Sequence, residues 1–124
     1  MVREGRVKDV TEVMEEADDD KLEREADGSW NGTYHLSVFA GLLETGEDLD
    51  QVVTRLFGEH RQVKWYRVAL LEILEVQDFK LGASPPEPFH YDVILGEELT
   101  YSVVETFEKC FGEERKNRLW QRRS

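Results

Sequence analysis

Val63 to Val76, VKWYRVALLEILEV, is the stretch on which the fold turns. Its residue types suit a strand and its length suits a helix, so the polar positions decide. Lys64, Arg67, Glu72 and Glu75, with Asp78 just beyond, break any period of two. At about 100° per residue they gather into an arc of about 140° on a helical wheel. Trp65, Tyr66, Leu70, Ile73 and Leu74 belong to the apolar remainder. The stretch therefore predicts a largely buried helix, the spine of the core.

On its N-terminal side, Asp48 to Phe57 carries Leu49, Val52, Val53, Leu56 and Phe57 on one helical face. Asp48 suits the N-cap, Gln51 completes a capping box and Gly58 supplies a stop. Before it, Thr33 to Ala40 alternates as a strand, introduced by the turn cluster Gly28–Gly32. On the other side, Phe79 to Leu81 reads as a short strand and Gly82 to Pro88, which holds every proline, as a surface loop. Phe89 to Leu95 alternates again, Glu98 to Phe111 is helical, and a short helical turn through Leu119 and Trp120 follows. Near the N-terminus, Val7, Val10, Val13, Met14 and Ala17 make one thin stripe. It predicts a helix over 6–17 that frays toward 26, with partial disorder as the rival reading.

Two of these stretches echo each other. Tyr34–Gly41 and Phe89–Gly96 share an aromatic–His start and a final glycine, and each precedes a helix that holds Val-Val and ends Phe-Gly-Glu. The expected fold is one α+β domain: two strand–helix units around the buried 63–76 helix. An acidic N-terminal helical arm (1–27) and a basic C-terminal tail (115–124) flank the compact body (28–114). The arm reads as dispensable to the body.

With 124 residues the chain is long enough for its own core. It has no apolar run near the roughly 18 residues of a membrane span. MVREGRVKDV offers no apolar signal region, and a lone Cys110 excludes a disulfide scaffold. A cytoplasmic location follows, or a nuclear one if the basic tail is an import signal. Net charge is −11, divided as −6 over 1–27, −10 over 28–114 and +5 over 115–124. Such a body repels nucleic acid and anionic membrane and attracts basic partners.

No nucleophile elbow, phosphate-binding loop or dinucleotide fingerprint is present. Three chemistries are worth placing. His35, His90 and Asp92 could form a metal or acid–base site if the two strands pair. No metal-ligand spacing supports it, and no cofactor is expected. Arg115, Lys116, Arg118, Trp120, Arg122 and Arg123 form an anion-contacting tail, or else serve the end of the last helix. Trp30, Tyr34, Phe89 and Tyr91 make the first interaction patch to examine. Cys110 falls on a core-facing position and reads as a buried thiol.

The leading expectation is non-enzymatic: a small acidic protein of the inhibitor, immunity or viral accessory type, acting on a protein partner with a basic surface. Self-association through the arm and exposed aromatics is a further expectation. A nucleic-acid regulator using the 48–78 helices or the tail is the first alternative, and a small enzyme at His35, His90 and Asp92 the second.

Overall fold

The computed structural model describes residues 1–58 and 62–120. It is an α+β domain with four helices and one six-stranded antiparallel sheet among those residues. In chain order the elements are β1 (Val2–Glu4), α1 (Val10–Asp27), β2 (Tyr34–Phe39), α2 (Leu49–Phe57) and β3 (Trp65–Val68). There follow α3 (Glu72–Val76), β4 (Lys80–Ala83), β5 (His90–Gly96), α4 (Tyr101–Lys109) and β6 (Arg115–Lys116). The strand order is β4-β5-β2-β1-β3-β6.

The expected central helix over 63–76 is not formed. Trp65–Val68 is a strand, and only Glu72–Val76 is helical. Arg67 misled the reading. It was taken to mark a solvent-facing arc, yet it is 2 % exposed. Its Nη1 lies 2.6 Å from a Glu108 carboxylate oxygen of α4, and its guanidinium lies over Phe111. A paired arginine can sit on an inward face of a strand that carries no solvent-facing side at that point.

The second correction concerns the arm. Residues 1–27 are not an appendage. β1 lies inside the sheet, with Val2 opposite both Phe39 of β2 and Val68 of β3. α1 runs to Asp27 without ending at residue 17, and Val13 and Ala17 are fully inaccessible. Asp9 caps its start by accepting from the Thr11 amide, and Gly28 at φ 81° caps its end. Val7, expected on the stripe, precedes the helix and is exposed. Met1, Val13 and Ala17 share one core with Leu36, Val93 and Phe107, so arm and body are one folded unit.

Two apolar clusters hold the layers together. One joins α1, α3 and α4 to Leu36, Val38, Val93 and Leu95. The other joins α2 to Val2, Phe39 and Tyr66. Neighbouring strand residues alternate between them, Val38 and Ala40 against Phe39, and Met1 against Val2. The clusters therefore occupy opposite faces of the sheet. α2 forms as expected, with the full Asp48–Gln51 capping box. A Cβ on Gly41 would lie 2.6 Å from Leu56 Cδ2, so a larger residue where the chain leaving β2 passes α2 would require the Leu56 side chain to shift.

The echo between the two strand–helix stretches does not become a repeated unit. β2 and β5 are antiparallel neighbours, with Leu36 opposite Val93 and Val38 opposite Tyr91. Their apolar residues enter the same cluster, but α2 and α4 pack on opposite faces. A two-fold exchanging the strands would place both helices on one face. The last segment also differs from expectation, since Arg115–Lys116 pairs with Trp65 and Tyr66 as an edge strand.

Deleting residues 1–5 removes the strand that joins the two halves of the sheet. The expected result is loss of the cooperative thermal transition in circular dichroism. An unchanged midpoint would show that β1 is dispensable.

Candidate functional site

Strand pairing separates the two histidines. His35 stands opposite Ile94 and His90 opposite Phe39, at opposite ends of the β2–β5 pair. His90 stacks on Phe39 at 5.1 Å. His35 does meet Asp92, with Nδ1 3.4 Å from a carboxylate oxygen, and its Nε2 lies 2.9 Å from Thr33 Oγ1. A hydroxyl, an imidazole and a carboxylate in this order resemble a nucleophilic relay. The surrounding bonds commit them elsewhere. The Thr33 hydroxyl donates to Asn31 Oδ1, and the Asp92 carboxylate accepts from Arg24, which also holds Asp20. The network fastens α1 and the 31–33 turn to the sheet. No group of three metal-ligating residues occurs among the described residues.

The four aromatics do not form one patch. Trp30 meets Tyr34 edge-on at 5.3 Å, with the Lys21 ammonium over both rings. Phe89 lies at the far end of the strand pair, where Ala40 donates to its carbonyl and Arg55 covers its ring. Tyr91 packs against the larger core.

Part of the basic tail is engaged with the body. Arg118 donates to Asp50 at 2.6 Å and to Asp48 at 2.9 Å. Asn117 is buried and donates its side-chain amide to the Val63 carbonyl. Lys64 lies 4.6 Å from the Trp120 ring centroid. Arg115 and Lys116 are exposed in β6, beside Asp48 and Asp50 across a cleft. Arg122 and Arg123 lie outside the described residues.

The feature with free binding capacity lies elsewhere. Asp78, at φ 62°, turns the chain out of α3, and the Phe79 amide donates back to the Leu74 carbonyl. Asp is among the residues that tolerate this conformation. The turn lays β4 alongside α3. Between them opens a groove of about 380 Å³ lined by Leu71, Leu74, Phe79 and Leu81 and rimmed by Glu72 and Glu75. Leu70 and Val76, near the two ends of α3, are 74 % and 78 % exposed. Neither rim carboxylate forms an ion pair among the described residues.

β4 is also an outer strand, with β5 on one side and no strand of the described residues on the other. The opposite edge, β6, is two charged residues long, which is how sheets guard an edge. β4 has only Lys80 for that purpose. In the sequence, Glu72 and Glu75 mark only the polar arc of the expected helix, and Phe79–Leu81 reads as a short strand. The available signal was the surplus of apolar residues, Leu70, Leu71 and Val76, around so short a helix.

No known protein family matches the chain, and no curated protein or solved structure is significantly similar to it.

Asp27, Glu47 and Glu114 are exposed carboxylates held below their ordinary pKa by local hydrogen bonds, and two more buried groups add to the acid response of the fold. Partial burial penalises the Glu16 carboxylate, but the Arg3 guanidinium and Lys8 ammonium outweigh that and hold its pKa below the ordinary value. Burial likewise penalises Asp50, while hydrogen bonds from Arg118 and Tyr66 hold its pKa down. Depressed folded pKa values stabilise fully above the unfolded values of about 4, and that stability is lost as pH falls through the folded ones. The melting midpoint is therefore expected to drop below about pH 4, with a shallower drop in Glu16→Gln. Identical acid slopes in the two proteins would contradict this. Cys110 donates to the Thr106 carbonyl and burial raises its pKa. A thiol reagent should label the folded protein far more slowly than the unfolded one, and equal rates would refute the placement.

Proposed function

We propose that this is a non-enzymatic binding protein that takes a basic protein partner in the groove between α3 and β4. The observation that carries the reading is the groove itself: four apolar side chains beside two carboxylates, of which Glu72 also acts on the Met1 ammonium and neither is held in a salt bridge among the described residues. The net charge of −11 supports it, since the long-range field of the body attracts a basic partner and speeds its encounter.

The nucleic-acid reading has weaker support. Groove readers present a basic face, whereas Arg118 is held by two carboxylates, and Arg115 and Lys116 stand beside the same pair. The enzyme reading also loses ground, because the Thr33 hydroxyl and Asp92 already spend their bonds on Asn31 and Arg24. No helix among the described residues is long and apolar enough to cross a membrane.

A labelled heptapeptide, Thr-Lys-Thr-Leu-Thr-Lys-Thr, and its counterpart with Glu for Lys give the test by fluorescence anisotropy. The basic peptide should bind more tightly, and less so at high salt. Glu72→Gln with Glu75→Gln should weaken it about three- to tenfold, as two exposed pairs allow. Arg115→Gln with Lys116→Gln should not weaken it. Equal affinity for the two peptides would overturn the reading.

A further inference from the structure

We propose that the partner segment binds in extended form, as a seventh strand added to β4. This rests on the groove being the site for a basic partner, and it specifies how that partner is recognised. β4 lies on the outside of the sheet, so among the described residues the outer side of Lys80–Ala83 has no neighbouring strand. An outer strand presents unpaired N–H and C=O groups to an incoming chain. Extended peptides use such edges, with main-chain bonds giving affinity and alternate side chains giving specificity.

The groove supplies the specificity. Leu81 belongs to β4 and lines the groove, so the groove opens on the face of the sheet that carries Leu81. A strand added about 4.8 Å outside β4 would direct every second side chain to that face. One such side chain meets Leu71, Leu74, Phe79 and Leu81, so it should be apolar. Its same-face neighbours lie about 7 Å away along the strand. Glu72 and Glu75 are three residues apart on α3 and so project from one side of the helix, about 5–6 Å apart. A Lys or Arg two residues from the apolar anchor is within reach of them. The recognised pattern is basic–x–apolar–x–basic in an extended segment.

Charge decides against a second copy of this chain as the occupant. Each copy carries −11, and an edge-to-edge pair would bring Glu72 and Glu75 of both copies to the same seam. Like charges across an interface are costly. A helix laid in the groove would use the apolar side chains but none of the main-chain groups of β4.

The test separates these modes with the full chain and the heptapeptide above. In an added strand the N–H groups point alternately toward and away from the sheet. N-methylation of one alternate set of peptide residues should weaken binding at least tenfold, and of the other set less than threefold. The peptide should also slow hydrogen exchange within Lys80–Ala83. A helix-locked peptide of the same composition should bind at least tenfold more weakly. If both N-methylated sets bind equally, or the helical peptide binds as well, strand addition is wrong while the groove keeps its basic partner. If the parent peptide shows no preference over its acidic counterpart, the groove reading itself has failed. Dimerisation without peptide, abolished by Lys80→Glu or Glu72→Lys, would assign the edge to a second copy and overturn the proposal.

Discussion

The three residues of β1 and the guanidinium of Arg3 hold the architecture together. β4, β5 and β2 form one part of the sheet, β3 and β6 the other, and β1 lies between them. Its contact with β2 is narrow, a single pair at Val2 and Phe39. Arg3 compensates for that narrowness. It donates to the Ser37 carbonyl of β2 at 3.1 Å and to Glu16 of α1 at 2.9 Å, and it lies over the Phe107 ring of α4. Arg67 repeats the device from β3, reaching Glu108. Two buried arginines, each taking a glutamate from a different helix, thus fix both helices on one side of the sheet.

Such pairs are expensive to bury, and replacing them by apolar residues is often neutral or stabilising. The Nε atoms of both arginines are buried without a partner among the described residues, which adds to the cost. What the pairs supply is position. Losing one member strands a charge in the core, at about 3–5 kcal/mol. The arrangement therefore tolerates few alternative registers of β1.

This also accounts for what was legible in the sequence. The α+β class, α2 with its capping box, and the strands around 34–40 and 89–95 follow from clean periods and clear end signals. β1 and β3 have three and four residues, too few for a period to show, and each hides an arginine on an inward side. Periodicity arguments count arginine as solvent-facing, so Arg67 turned a strand into a helix and Arg3 concealed a strand altogether. The tail was misread for a related reason. Arg115 and Lys116 were weighed as charge, whereas their backbone is what the edge of β3 uses. The groove was invisible because its lining comes from α3 and β4, whose closeness depends on the turn at Asp78. Of the candidate site residues, the structure brings together His35 with Asp92, in a network that anchors structure, and Trp30 with Tyr34, without Phe89 or Tyr91.

The two ends of the sheet differ. One closes with two cations and a tail whose Arg118 is paired to α2. The other places β4 beside an apolar groove that Glu72 and Glu75 also line. The most direct measurement of this account is a titration of the isotope-labelled protein with the basic heptapeptide, followed by backbone amide shifts. The account predicts that the largest changes fall within residues 71–83 and their neighbours on β5. Changes concentrated at residues 48–50 and 115–118 would contradict it.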